Sequence, residues 1–458
     1  MLKVFYRACK LWDRTGKSTR EKQNFVLQSV RNYSKMTPQI TVTPRISLAD
    51  EKLSVAVSHL QPSTPVTIRV LVKTEKNYQF EAHAHYNSTA DGRVDVQTQP
   101  AISGSYQGIE PMGLLWSMAQ SPGQRKGLRF TKTDVTKPSI MEFGVYPNHL
   151  DVQQFQEVSP ICTTIIERHY MSTNMERIPV KEGRVRGTLF KPKGNGPFPG
   201  IIDLYGTAGG LMEMRAALLA NHGYTVLALA FAGYDDLPKT FMEIDLDYFE
   251  ESLNWFSNCN FVKPGGIGTI GLSKGGELAI AMAIYFPDKV KAVVSLNGAH
   301  MHTYSSMLFR GKHLPFTNYD ASRMIFKDDG STSCLELVHD PVENSVFKFE
   351  DLKAELLLVA AGDDMNWKSV FYAEEAVRRL RALKKTNFKL FVYPAAGHLI
   401  EPAYTPFCFA SYHSIGSNLM WGGTAKPHAD AQQECWKETL EHFHRYLGSQ
   451  NSTTHSKL

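Results

Sequence analysis

The chain has 458 residues, 43% hydrophobic and 21% charged, with a formal net charge of +5, which is room for two domains and a large buried core. That charge is concentrated: residues 1–35 hold nine Lys or Arg against Asp13 and Glu21, so the remaining chain carries −2. A nearly neutral body offers no electrostatic case for nucleic-acid binding, and the absence of any eighteen-residue apolar run argues against a membrane span.

Residues 1–35 read as a mitochondrial-type leader addressed to the matrix. Lys3, Arg7, Lys10 and Arg14 recur at helical spacing opposite Leu2, Phe5 and Trp12, and Arg31-Asn32-Tyr33-Ser34 resembles a processing site. Met36 follows directly, as the start of an expected second form. Over 36–160, runs such as Ile40-Thr-Val-Thr, Leu53-Ser-Val-Ala-Val and Val66-Thr-Ile-Arg-Val alternate with period two between turn signals. That pattern predicts an antiparallel β-sandwich. The apolar segment at 113–118 is expected to pack against it.

The texture changes at 161. Through 161–448, buried strand-like runs alternate with helical periodicity: helices at 213–221, 248–257, 276–285 and 369–383, and a last one through Trp436, Leu440, Phe443 and Leu447. Strands are expected at 200–205, 225–230, 267–270, 290–296, 355–359 and 389–393. This predicts a mainly parallel sheet covered on both faces. Residues 301–352 break the alternation and are expected to pass over the top of the sheet and shape the acyl pocket. The tail 449–458 ends in Ser456-Lys457-Leu458, a peroxisomal import tripeptide, so an import receptor is an expected partner, particularly for the form starting at Met36. Six scattered cysteines (Cys9, Cys162, Cys259, Cys334, Cys408 and Cys435) show neither CxxC nor Cys/His metal spacing, which predicts reduced core residues and no metal site.

Gly271-Leu272-Ser273-Lys274-Gly275 lies between a short buried strand and a helix with a small-residue face. A serine on such a turn is held in strained geometry with its hydroxyl above the sheet, and the flanking glycines avoid a collision across it. The serine needs a base and an orienting acid, which in α/β-hydrolases follow it in the order Asp, His, each at a strand end. The strand at 355–359 runs into Asp363 and Asp364, and the strand at 389–393 runs through Gly397 to His398. Asp364 is the first candidate acid and Asp363 the second, with the other acid capping the loop. His83, His85, His300, His302 and His413 follow no late strand and are expected to be structural or exposed. The oxyanion hole is expected from the backbone N–H of Lys274 and one from Tyr205-Gly206-Thr207-Ala208-Gly209-Gly210, with Gly206 and Thr207 the candidates. Gly266, Gly268 and Gly271 spell GxGxxG, but they precede and end a strand, so a dinucleotide site is not expected there. No cofactor is implied.

Together with Gly108-Ile-Glu-Pro-Met-Gly-Leu-Leu-Trp116, Asp203-Leu-Tyr-Gly-Thr-Ala-Gly-Gly-Leu211, Gly362-Asp-Asp-Met-Asn-Trp-Lys-Ser369, Tyr393-Pro-Ala-Ala-Gly-His-Leu-Ile-Glu-Pro402 and Trp421-Gly-Gly, these motifs resemble the acyl-CoA thioesterase/bile acid-CoA:amino acid N-acyltransferase family, from Ile40 to Gly448. The resemblance implies an α/β-hydrolase domain behind a β-sandwich, an acyl-CoA substrate, and a triad of Ser273, Asp364 and His398. It also implies that a serine nucleophile favours hydrolysis, whereas the amino-acid conjugating branch carries cysteine. The alternatives are transfer of the acyl group to glycine or taurine, carboxylesterase or peptidase chemistry on the same fold, and a non-catalytic binding module. Lys274, where an apolar residue is expected, would bring charge to the pocket entrance, and Met365 stands where the family pattern implies His.

Overall fold

The computed structural model describes residues 37–413 and 416–448. The leader over 1–35, Met36 and the Ser456-Lys457-Leu458 tail lie outside the described residues.

The first unit is built from β1 (Gln39–Thr43), β2 (Ile46–Leu48), β3 (Ser54–Ser58), β4 (Pro65–Lys73), β5 (Gln79–Asn87), β6 (Val94–Asp95) and β7 (Ser103–Gly104). Helix α1 (Gly113–Trp116), β8 (Ala119–Gln120), β9 (Ser139–Pro147) and β10 (Cys162–His169) complete it. One sheet has the order β1-β3-β6; the other runs β2-β10-β9-β4-β5-β7, with β8 beside β5. Period-two patterning becomes burial: Ile40, Val42, Val55, Val57, Val66, Ile68, Val70 and Val72 point into one shared core. Burying each contributes roughly 1.5–3 kcal/mol, which makes this face the main source of the unit's stability. β10 pairs with β9 antiparallel and with β2 parallel, so the sheet extends past the boundary expected at residue 160. The reason is visible in the strand itself. Ile166 and Arg168 are buried within this unit, and Arg168 donates to Ser47 Oγ and to the carbonyls of Ala49 and Glu51.

The second unit begins with β11 (Met175–Glu182) and β12 (Val185–Pro192), then β13 (Gly200–Leu204), α2 (Met214–Asn221), β14 (Thr225–Leu229), β15 (Glu243–Asp245) and α3 (Leu246–Ser257). It continues with β16 (Ile267–Leu272), α4 (Lys274–Tyr285), β17 (Val290–Leu296), β18 (Ser306–Phe309), β19 (Lys312–Leu314), β20 (Ile325–Phe326) and β21 (Ser331–Ser333). Last come β22 (Glu355–Ala361), α5 (Ser369–Ala382), β23 (Phe388–Tyr393), β24 (Ala410–Tyr412), β25 (Asn418–Met420) and α6 (Ala425–Leu447). Its main sheet has the order β11-β12-β14-β13-β16-β17-β22-β23 and is parallel from β14 onward. β13, β14 and β16 are buried at every residue because helices cover both faces, which is why they read as continuous apolar runs. This is the α/β-hydrolase architecture.

The units are tightly joined. Tyr412 N donates to Gly127 O, Phe407 N donates to Trp116 O, and the Trp436 indole donates to Asp50. Residues 301–352 are less irregular than expected. β18 and β19 form a small sheet with β15, and β20 and β21 join β25 and β24 in another. Among the described residues the cysteines 162, 259, 334, 408 and 435 are free, no metal-holding cluster occurs, and no helix is long and apolar enough to cross a membrane.

Candidate active site

Ser273 sits between the end of β16 and the start of α4 with φ 59° and ψ −123°, a conformation costing about 1–3 kcal/mol unless its surroundings enforce it. They do. Its N–H donates to Leu296 O on β17, and its carbonyl accepts from Glu277 N in the first turn of α4. A Cβ on Gly271 would lie 2.0 Å from Gly275 O, and one on Gly275 would lie 2.4 Å from Tyr205 O. Both glycines of the motif are therefore demanded by backbone crossing backbone. Gly206 passes so close that a Cβ there would sit 3.3 Å from Ser273 Cβ. Gly206 and Thr207 both border the cavity that Ser273 faces. The Lys274 N–H belongs to the first turn of α4, where amides have no acceptor within the helix.

His398 lies on the loop after β23, and its Nδ1 is 2.7 Å from Asp364 Oδ2. Asp364 is buried, and three more donors reach its carboxylate: Asn366 N at 2.8 Å, Trp367 N at 3.0 Å and Ser369 Oγ at 2.6 Å. With Nδ1–H donating to this carboxylate, Nε2 is left as the basic nitrogen. Asp363 does other work: its Oδ2 accepts from Gly423 N at 3.1 Å, tying down the loop after Trp421. The backbone around His398 is clamped from several elements. Asn297, at the end of β17 with φ 50°, donates to His398 O and accepts from Ala361 N on β22. The His398 N–H donates to Trp421 O, and the Trp421 indole stacks on its ring at 5.8 Å between centroids. His428 on α6 accepts from Gly397 N on one side of His398 and donates to Leu399 O on the other. Burial lowers the His428 pKa to about 4, so it stays neutral and can accept at Nδ1.

Ser273 and His398 open on one cavity of about 260 Å³ lying between the two units. Thr74, Tyr78, Arg125, Leu128 and Arg129 line it from the first unit, and Gly206, Asn366, Tyr412 and Trp421 from the second. No residue of 301–352 lines this cavity, contrary to the expectation, because the first unit occupies that side. His413 is also part of the wall and is neither exposed nor remote, and burial is the main reason its pKa falls to about 4. His85, His300 and His302 are buried away from it.

Lys274 does not reach the cavity mouth. Its side chain is fully buried and turns to the opposite side of the elbow, where Nζ lies 2.6 Å from Glu277 Oε1 and 2.6 Å from Thr303 O. Burial pushes the Lys274 ammonium down and the Glu277 carboxyl up. Sequence spacing gives no sign of Arg129, Asn297 or His428, because each contributes to the site through a tertiary contact; Tyr205 and Glu401 stand within recognised motifs, but only the tertiary contact gives their side chains a role.

The chain matches the model of the acyl-CoA thioester hydrolase/BAAT N-terminal region over residues 50–182 and that of the BAAT/acyl-CoA thioester hydrolase C terminal over residues 244–449. It is 40% identical over 417 residues to a human protein named acyl-coenzyme A thioesterase 2, mitochondrial, covering 89% of this chain and 84% of that one. It is 41% identical over 404 residues to mouse acyl-coenzyme A thioesterase 1, covering 88% and 94%. By both family models and by these similarities over most of each chain, the chain belongs to the acyl-CoA thioesterase/BAAT family.

Proposed function

We propose that the protein hydrolyses acyl-CoA thioesters through an acyl-enzyme on Ser273. The observation that carries this reading is the buried Asp364–His398 bond opening on the same cavity as the strained Ser273. His398 Nε2 takes the Ser273 proton as Oγ attacks the thioester carbonyl, and the N–H groups of Lys274 and of Gly206 or Thr207 receive the oxyanion. Collapse of the tetrahedral species expels the CoA thiolate, which takes the proton from His398. A water then gives a proton to Nε2 and attacks the ester, and His398 returns that proton to Ser273 Oγ as the fatty acid leaves. Asp364 holds the tautomer and balances the transient imidazolium.

The CoA end has a natural exit. Arg125 and Lys76 stand at the first-unit end of the cavity, and neither is paired with a carboxylate among the described residues. These two cations fit the phosphates of CoA. Incubation with an acyl-CoA and labelled glycine or taurine tests the reaction class: free fatty acid should dominate and Ser273→Ala should abolish it. N-acyl amino acid in excess would instead establish the acyltransferase reading.

The basic leader supports delivery of the full-length chain to mitochondria, and Ser456-Lys457-Leu458 supports peroxisomal delivery of a form starting at Met36. Fluorescent fusions of the two forms distinguish them; identical diffuse cytosolic signals would refute both addresses.

A further inference from the structure

Arg129 belongs to the first unit, yet its guanidinium lies against the two loops that carry the chemistry of the second. Its Nη1 donates to the Tyr205 hydroxyl at 3.0 Å and to Glu401 Oε1 at 3.3 Å, while that hydroxyl donates to the same carboxylate oxygen at 2.7 Å. The guanidinium also faces the Tyr205 ring at 6.0 Å. Only 19% of the Arg129 side chain and 11% of the Glu401 side chain are exposed, so this is a shielded cluster. Tyr205 directly precedes Gly206, and Glu401 lies three residues beyond His398. One ion-paired hydroxyl therefore ties the oxyanion loop to the histidine loop, and the tie is closed from the other unit.

We propose that Arg129 is a positioning residue through which the β-sandwich unit sets the spacing between the oxyanion loop and the histidine loop, so that the hydrolase site is incomplete without that unit. This rests on the thioesterase reading above. The geometry leaves little slack: a Cβ on Gly206 would sit 3.3 Å from Ser273 Cβ, and an oxyanion donor displaced by about 1 Å costs on the order of 10²-fold in rate. Loss of the Arg129 charge would leave Glu401 as an unbalanced anion behind the histidine loop. Other groups face Glu401: the buried Arg215–Asp203 pair, Tyr170, His428 and Cys408. Arg215 is already committed, since its Nε and Nη2 both bond Asp203 Oδ1, so it does not substitute for Arg129. On the far side His398 faces Asp364, Trp421 and Trp367, with His413 in the same cavity wall, and His413 feels the charge of both Arg129 and His398.

The test uses the full chain and steady-state hydrolysis of one long-chain acyl-CoA from pH 5.5 to 9. Arg129→Met should lower kcat by about 10²-fold with KM changed less than about threefold. Arg129→Lys should recover most of the lost kcat. Tyr205→Phe removes a single oxygen and keeps the ion pair, so it should stay folded with a melting temperature only a few degrees lower and lose about tenfold in kcat. A rise in KM at constant kcat in Arg129→Met would overturn the proposal in favour of a substrate contact. Full kcat in a folded Tyr205→Phe would overturn it as well. Failure of the thioesterase reading would look different: the wild-type chain would not hydrolyse acyl-CoA, or Ser273→Ala would be as active as wild type.

Discussion

Replacing Lys274 by Met tests the buried electrostatics behind the elbow. The ammonium and the Glu277 carboxylate are both inaccessible to solvent, 2.6 Å apart, and Glu277 additionally accepts from Thr303 N at 3.1 Å and from the Thr303 hydroxyl. Removing one partner of such a pair typically costs about 3–5 kcal/mol, because the other is left as a lone buried charge. Glu277 escapes that state by taking up a proton, a direction in which burial already pushes it. A carboxyl whose folded pKa lies above its unfolded value of about 4.3 loses stability as pH rises, by about 1.36 kcal/mol per unit. The loss grows with pH above about 4.3 and is capped at the roughly 3–5 kcal/mol of a broken buried pair. Urea unfolding of Lys274→Met and wild type at pH 5, 6, 7 and 8 reads the effect directly. The gap in stability should be small at pH 5 and widen at each step until Glu277 ionises in the folded variant. A gap that is constant with pH, or below about 1 kcal/mol at pH 7, would refute the argument.

Asp364→Asn should lower kcat by about 10⁴-fold through the wrong His398 tautomer, whereas Asp363→Asn should cost less than about tenfold; steady-state kinetics of the pair separates the two acids. Gly275→Ala forces a methyl onto the Tyr205 and Leu204 carbonyls, so a thermal melt should show destabilisation of at least about 3 kcal/mol, with activity lost. Arg125→Ala should raise KM for acyl-CoA about tenfold at constant kcat while leaving acyl-pantetheine turnover unaffected, as expected if its partner is a phosphate. His300, His302, His413, His428 and His442 have pKa values depressed to between about 3 and 4, chiefly by burial. The unfolded chain binds more protons below pH 6.5, so their stabilising effect is lost as pH falls from there toward 4, and the urea midpoint should drop over that window.

Much of the hydrolase unit was legible because its strands, buried on both faces, leave uninterrupted apolar runs, and because Gly271, Ser273 and Gly275 record a backbone crossing that only glycine permits. The order of Ser273, Asp364 and His398 followed from strand ends. Four things were not legible. Cys162–His169 alternates like any edge segment, and only its pairing with β9 and β2 assigns it to the sandwich. Lys274 looked like a charge at a pocket mouth because spacing does not reveal that Glu277, one helical turn on, and Thr303 lie ready to satisfy it. Residues 301–352 seemed the natural pocket wall for an excursion over the sheet. That wall is supplied instead by 125–133 and Thr74–Tyr78, which are far away in the chain and become neighbours only when the two units dock. Arg129 escaped notice for the same reason.

The central claim is that the acyl group passes through Ser273. Rapid acid quench of the full-length protein with a long-chain acyl-CoA, followed by peptide mass spectrometry, measures this directly. The acyl mass is expected on the peptide containing Ser273, accumulating within the first turnover and absent from Ser273→Ala. Acylation of a different residue, or hydrolysis at the wild-type rate by Ser273→Ala, would contradict it.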